Sequence, residues 1–139
     1  MMAVGVLLIT QDDMGKVLLS CLERMWGSSL PLPVKVLPVR NETTEYVDRY
    51  CYYAKQLYTR LEEGQGVLIL TDIFGSTPSR IATSLIEQHR VRVVSGINFP
   101  MLVKIMNHET TDLDSLANIA LSGGHQGILD VNKTLSFDG

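Results

Sequence analysis

Residues 2–10 read Met-Ala-Val-Gly-Val-Leu-Leu-Ile-Thr, an apolar run with no polar alternation, and residues 67–70 read Val-Leu-Ile-Leu. A strand with one wet face alternates polar and apolar side chains, whereas an unbroken apolar strand requires cover on both faces. Helices packed above and below a sheet provide that cover, so these segments favour a layered α/β architecture. Both are strand-sized and far short of the roughly 20 apolar residues that cross a bilayer.

The intervening segments supply the helices. Apolar residues at 14, 18, 21, 22 and 25 have helical spacing, with Asp12 or Asp13 placed to cap the first amides and Gly27-Ser28-Ser29 to break the helix. Residues 34–39 form a second short strand, in which Pro38 marks an edge or the strand's end because proline cannot donate to a ladder. Asn41 or Thr43 can cap a long helix to about Leu61, with Tyr46, Tyr50, Tyr53 and Leu57 along one side. That stripe is the ordinary signature of a core-facing side, although tyrosines so spaced could also stack on a base or sugar.

Gly64 and Gly66 frame the turn into a third strand, 67–71, which stops at Asp72. A helix capped by Ser76 or Thr77 then runs to about Gln88, with Pro78 in its first turn, where a missing amide hydrogen costs nothing. Residues 90–95 give a fourth strand closed by Gly96-Ile97-Asn98, and Phe99 opens a short helix to about Asn107. A last helix follows Thr111 and ends at Gly123-Gly124, leaving a short final strand at 128–131 and a polar end beyond Asn132 that is expected to be mobile. The alternation predicts an open, doubly wound, mainly parallel sheet in three layers, with residues 1–139 as a single domain.

A chain of 139 residues with 45% hydrophobic content can bury one core without staples. Its 12 basic and 15 acidic residues leave a formal charge of −3, which argues against a nucleic-acid partner. Cys21 and Cys51 lie in amphipathic helical patterns, where a thiol serves as a small hydrophobe. No secretory signal pattern opens the chain, so a cytoplasmic location is expected. His89, His108 and His125 follow helical stretches and no spacing suits zinc, so neither a metal nor a cofactor is expected.

In a parallel doubly wound sheet, the loops after the strands share one rim, backed by helix N-termini that offer free amides to an anion. That rim carries Thr10-Gln11-Asp12-Asp13, then Thr71-Asp72-Ile73-Phe74-Gly75-Ser76-Thr77-Pro78, then Ser95-Gly96-Ile97-Asn98. Asp72 is the leading candidate: it could brace the loop, orient an imidazole, hold magnesium or accept a phosphoryl group. Gly75, Ser76 and Thr77 leave room for a phosphate and supply two hydroxyls, although turn and cap duties explain the same letters.

These segments, in this order, resemble the type 4 IIA component of the bacterial sugar phosphotransferase system, the mannose-fructose-sorbose family. The resemblance rests on Val6-Leu7-Leu8-Ile9-Thr10 with Met14-Gly15, on Leu70 to Pro78, and on Ser95-Gly96-Ile97-Asn98-Phe99-Pro100-Met101-Leu102. It implies a flavodoxin-like fold, a dimer that exchanges a final antiparallel strand, and a cytoplasmic phosphoryl carrier. In such a carrier a histidine after the first strand takes phosphate from a phosphocarrier protein and gives it to a IIB component, with the membrane involved only through a transport complex. The resemblance assigns Asp72 to holding the reactive imidazole and places Thr10, Thr71, Gly75, Ser76 and Thr77 around the phosphate.

The family's Thr-His-Gly reads Thr10-Gln11-Asp12 here, so Gln11 stands at the acceptor position. An imidazole nitrogen offers phosphorus a lone pair, whereas a carboxamide nitrogen's lone pair is delocalised. The expected function is therefore that of a IIA-like regulatory or partner-binding paralogue, unable to form phosphohistidine. Two other classes compete. A magnesium-dependent aspartyl-phosphate receiver would use Asp12, Asp13, Asp72 and Ser95, but the lysine it needs after a fifth strand has no good counterpart, Lys133 lying near the tail. The other is a pure protein-interaction domain.

Overall fold

The computed structural model describes residues 3–40, 43–108 and 112–136. Four parallel strands, β1 (Gly5–Gln11), β2 (Val34–Val39), β3 (Val67–Thr71) and β4 (Val91–Ser95), make a sheet of order β2-β1-β3-β4. The helices are α1 (Met14–Trp26), α2 (Thr44–Leu61), α3 (Thr77–Thr83), α4 (Phe99–Met106), α5 (Leu113–Gln126) and α6 (Val131–Thr134). β1 is central, paired with β2 on one side and β3 on the other. The unbroken apolar β1 and β3 segments follow from that position.

Their side chains divide by parity between two cores. Val6, Leu8, Leu68 and Leu70 pack with residues of α1, α4 and α5, while Leu7, Ile9, Val67 and Ile69 pack with residues of α2 and α3. Helices therefore cover both faces, giving the three-layer, flavodoxin-like arrangement. No helix among the described residues is long and apolar enough to cross a membrane.

Several predicted boundaries move. β1 extends to Gln11, one residue past its expected end. The Asp13 side chain does not cap α1; it pairs with Arg40, and the amide of Gly15 is satisfied by the buried Thr10 hydroxyl at 2.8 Å. Thr43 occupies the α2 cap position, and the alternative, Asn41, lies outside the described residues. On α2, Tyr50 and Leu57 pack on the core with Val47, Ala54 and Leu61, but Tyr46 and Tyr53 are exposed, so the core-facing stripe is rotated from the one expected.

α3 stops at Thr83 rather than near Gln88. The Thr83 hydroxyl donates to the Ser79 carbonyl at 2.8 Å and the Ser84 hydroxyl to the Ile81 carbonyl at 2.6 Å, drawing the backbone into tight turns. α5 runs through Gly123-Gly124 to Gln126, because these glycines serve close packing against α4 rather than ending a helix. The strand expected at 128–131 does not form within the chain. Residues 128–130 have no regular structure, and the Asp130 carboxylate caps the amide of Lys133 to start α6, a local bond that needs no sheet edge.

The α2–β3 turn is held at the opposite end of the sheet. Glu62 accepts the amides of Gly64 and, at 2.9 Å, Gly66, as well as the Tyr58 hydroxyl at 3.1 Å. Burial alone would raise this carboxyl, but the amides of Gly66 and Gly64, the Tyr58 hydroxyl and the charge of Arg90 outweigh it and hold the pKa below 4.5. A depressed carboxylate contributes stability that is full above its ordinary value and is lost as the pH falls through the folded value. Glu62→Gln is expected to cost about 1–2 kcal/mol at neutral pH, with the difference narrowing in acid. Urea unfolding of both proteins at several pH values measures it; a gap that stayed constant into acid would refute the assignment.

Candidate functional site

The sheet order reverses between β1 and β3, since β1 leads outward to β2 and the chain returns across it to β3. At such a switch point the loops after adjacent strands turn to opposite faces and leave a crevice at the carboxyl edge. Gln11 ends β1 and Asp72 follows β3, so both lie on this crevice. The backbone N–H of Gln11 donates to Asp72 Oδ2 at 3.0 Å, tying the two strand ends together.

The other carboxylate oxygen, Oδ1, accepts the Ile73 amide at 2.7 Å and the Ser76 hydroxyl at 2.7 Å. Ser76 Oγ in turn accepts the Ser79 amide at 3.2 Å and so caps α3. One carboxylate thus fixes the end of β1, its own loop and the start of a helix. Behind it, Thr10 and Thr71 are buried, and the Thr71 hydroxyl lies 2.8 Å from that of Ser95 on β4. Thr77 is 5% exposed, with its hydroxyl taking a hydrogen bond from Arg80 at 3.2 Å. Gln11, Asp72, Gly75 and Ser76 therefore face the crevice loops, while Thr10 and Thr71 form their buried support.

Asp12 has φ +48°, the left-handed region that favours glycine, and is the one non-glycine residue there among those described. It occupies the position at which the resemblance implies glycine, and its backbone takes a conformation that glycine adopts without strain. The Arg40 guanidinium, by hydrogen bond and charge, holds the Asp13 carboxyl below its ordinary range, while slight desolvation opposes it. Gly75, at φ +90°, lets the β3–α3 loop turn sharply and leaves Ile73 and Phe74 67% and 87% exposed beside the carboxylate. The exposed apolar pair was not singled out in the sequence; its signal was two large hydrophobes outside any helical or strand periodicity.

The remaining imidazoles have other surroundings. His89 packs against the Tyr58 ring with centroids 4.7 Å apart, and His108 Nδ1 lies 2.9 Å from the Lys104 carbonyl. His125 borders a cavity beyond β4. Among the described residues no group of three or more His, Cys, Asp or Glu side chains is arranged to hold a metal ion.

A parallel doubly wound sheet with a carboxylate braced at its switch point defines a small α/β domain built to present a polar site on its carboxyl edge. Residues 5–120 match the model of the EIIA-man family, described as the PTS system fructose IIA component, and the chain belongs to that family. It is 30% identical over 103 residues, covering 73% of this chain and 68% of the relative, to YadI of Escherichia coli (strain K12), provisionally named a phosphotransferase enzyme IIA component. It is 32% identical over 79 residues to the PTS system mannose-specific EIIAB component of the same strain; the match covers 55% of this chain and 24% of that protein, about a quarter of its length.

Solved structures agree on the fold. The mannose/sorbose specific IIA subunit from Enterococcus faecalis superposes with a TM-score of 0.78 at 18% identity, over 93% of this chain and 95% of that one. The PTS IIA protein associated with the fucose utilization operon of Streptococcus pneumoniae gives 0.78 at 20%, over 98% and 100%. A sigma-54 interaction domain protein from Enterococcus faecalis shares the fold at 0.63 and 16%, over 97% and 98%.

Proposed function

We propose that this chain is a IIA-type component that works by binding phosphotransferase partners and does not itself carry phosphate on histidine. The observation that supports this best is the join between Gln11 and Asp72. Asp72, the carboxylate this reading gives to orienting an imidazole, accepts hydrogen bonds on both oxygens and keeps a lone pair on Oδ2, yet the residue whose backbone it holds ends in a carboxamide. A carboxamide can hydrogen-bond but offers phosphorus no available nitrogen lone pair. Asp12 adds a negative charge where a phosphoryl group would arrive, which further disfavours transfer.

The partners that fit are the phosphocarrier protein and a IIB-type component, met on the cytoplasmic side, with the membrane reached only through a transport complex. A homodimer is also part of this reading: Ile128, Leu129 and Val131 are 77%, 64% and 62% exposed, apolar surface that a second copy would cover. Against an aspartyl-phosphate receiver stands the sheet, which among the described residues has four strands and no fifth parallel strand to carry the lysine.

Docking at the Asp72 loop would use Ile73 and Phe74. Asp72 and Gly75 fix this loop in the free protein, so little ordering entropy is lost when its two exposed side chains enter a partner's surface. Phe74→Ala is expected to weaken the complex with the phosphocarrier protein about tenfold, as measured by calorimetric titration, with no loss of fold. Equal affinity of the variant and the parent would remove the loop from the interface. Failure of the parent to bind either partner at high micromolar concentration would defeat the partner-binding function.

A further inference from the structure

The hydrogen-bond donors that flank Asp72 serve the fold. The Gln11 and Ile73 amides donate to Asp72 itself, at 3.0 and 2.7 Å, and the Asp12 amide donates to the Val39 carbonyl at 3.0 Å. The Ser76 amide is bound to the Ile73 carbonyl at 3.1 Å, the Ser76 hydroxyl to Asp72 at 2.7 Å, and the Ser79 amide to Ser76 Oγ at 3.2 Å. The two arginines beside these loops are engaged as well. Arg40, which follows the register partner of Gln11 on β2, is paired with Asp13, and Arg80 donates to the Thr77 hydroxyl at 3.2 Å.

What the crevice keeps is acceptor capacity and negative charge. A carboxylate oxygen has two lone pairs, and Asp72 Oδ2 accepts one hydrogen bond, from the Gln11 amide. Neither Asp12 nor Asp72 has an ion-pair partner among the described residues. Such a place favours a group that brings N–H bonds or positive charge and disfavours one that brings acceptor oxygens and negative charge.

We propose, building on the partner-binding function above, that the crevice distinguishes the two states of a partner's reactive histidine. It holds the unphosphorylated imidazole, whose ring N–H donates to Asp72 Oδ2, and rejects the phosphorylated ring. A neutral imidazole carries one N–H and an imidazolium two, and either suits the open lone pair. Phosphorylation instead brings acceptor oxygens and about −1.5 to −2 of charge near neutral pH. To bind those oxygens, the amides of Gln11, Asp12 or Ile73 would first have to leave their partners within the fold, while the Asp12 charge opposes the approach. Discrimination therefore comes from an unfavourable contact with the wrong state as much as from a favourable one with the right state. The chain engages the phosphocarrier protein when its histidine is bare and releases it when the phosphoryl supply returns.

Fluorescence anisotropy of labelled phosphocarrier protein measures its affinity for the full chain, first unphosphorylated and then held phosphorylated by enzyme I with excess phosphoenolpyruvate. The unphosphorylated form is expected to bind about tenfold more tightly. Asp12→Asn removes the charge with a residue type that tolerates the left-handed backbone, and is expected to bring the ratio to about threefold. Arg40→Gln, which releases the charge of Asp13, is expected to widen it. Phe74→Ala should weaken both states alike and leave the ratio unchanged, which separates docking from discrimination. Equal affinity for the two states, or tighter binding of the phosphorylated one, would overturn the proposal while partner binding stood. No binding in either state would defeat partner binding and the proposal with it. A ratio that persisted in Asp12→Asn and at high ionic strength would show exclusion by bulk rather than by charge, and would also overturn it.

Discussion

The double variant Gln11→His, Asp12→Gly is expected to accept a phosphoryl group from phosphorylated phosphocarrier protein to near one equivalent, where the parent chain gives only background. Asp72 is already braced by the Ile73 amide and the Ser76 hydroxyl, and its second oxygen is 3.0 Å from the backbone nitrogen of residue 11. An imidazole rooted on that residue has the carboxylate within reach, so one nitrogen can be held by Asp72 while the other attacks phosphorus. The N–P bond to the carrier breaks as the new one forms, and the bonding pair leaves with the carrier's imidazole. The second substitution is needed for two reasons: Asp12 holds a backbone conformation, φ +48°, that glycine adopts without strain, and its charge opposes the incoming phosphoryl group. Adding Asp72→Ala to the double variant is expected to slow labelling on the order of 10²-fold. Acid-labile, base-stable label on the double variant measures this outcome; its absence in a folded variant would mean that Gln11 and Asp12 are not what keeps the chain from accepting phosphate.

Gly15→Val is expected to destabilise the chain by about 3 kcal/mol, because several costs add at one position. A Cβ there would lie 2.9 Å from Thr10 Oγ1, 3.1 Å from Val36 Cγ1 and 3.4 Å from Leu8 Cβ, all on buried or half-buried strand residues that cannot swing aside. The Thr10 hydroxyl also receives the Gly15 amide at 2.8 Å, a bond that lengthens if α1 is pushed outward. The same displacement would move the loop that carries Gln11. Guanidinium unfolding should show a lower midpoint with an unchanged slope. Gly27→Ala is the control: φ is +75° there but nothing lies within 4 Å of a Cβ, so only the backbone penalty of roughly 1 kcal/mol applies. A neutral Gly15→Val would show that α1 can slide away from the sheet at no cost.

The central architecture was legible because β1 and β3 are buried on both faces over their apolar runs and carry polar residues only at their carboxyl ends, Thr10, Gln11 and Thr71. Gln11 and Asp72 could be placed on one rim from the strand–helix alternation alone, since parallel strands end on the same side. Less was legible where side chains compete with backbone. The hydroxyls of Thr83 and Ser84 end α3 early, and a helical pattern does not display that competition. Gly123-Gly124 reads as a helix stop, yet contact with Lys104 and Met101 across a helix pair gives the same letters a packing role. The expected strand at 128–131 is a helical turn from Val131 because a strand exists only with a partner, whereas the Asp130 cap acts within four residues. At the site, the residue types could be read from the chain, but not the sharing of one carboxylate among Gln11, Ile73 and Ser76.

The most direct measurement leaves the parent chain untouched: incubation with enzyme I, phosphocarrier protein and radiolabelled phosphoenolpyruvate, followed by intact-mass spectrometry and acid-lability of any label. No stoichiometric phosphate on His89, His108, His125 or any other residue is the expected result, while the carrier itself becomes fully labelled. One equivalent of acid-labile phosphate on the parent protein would contradict the claim that Gln11 has ended its service as a phosphoryl carrier.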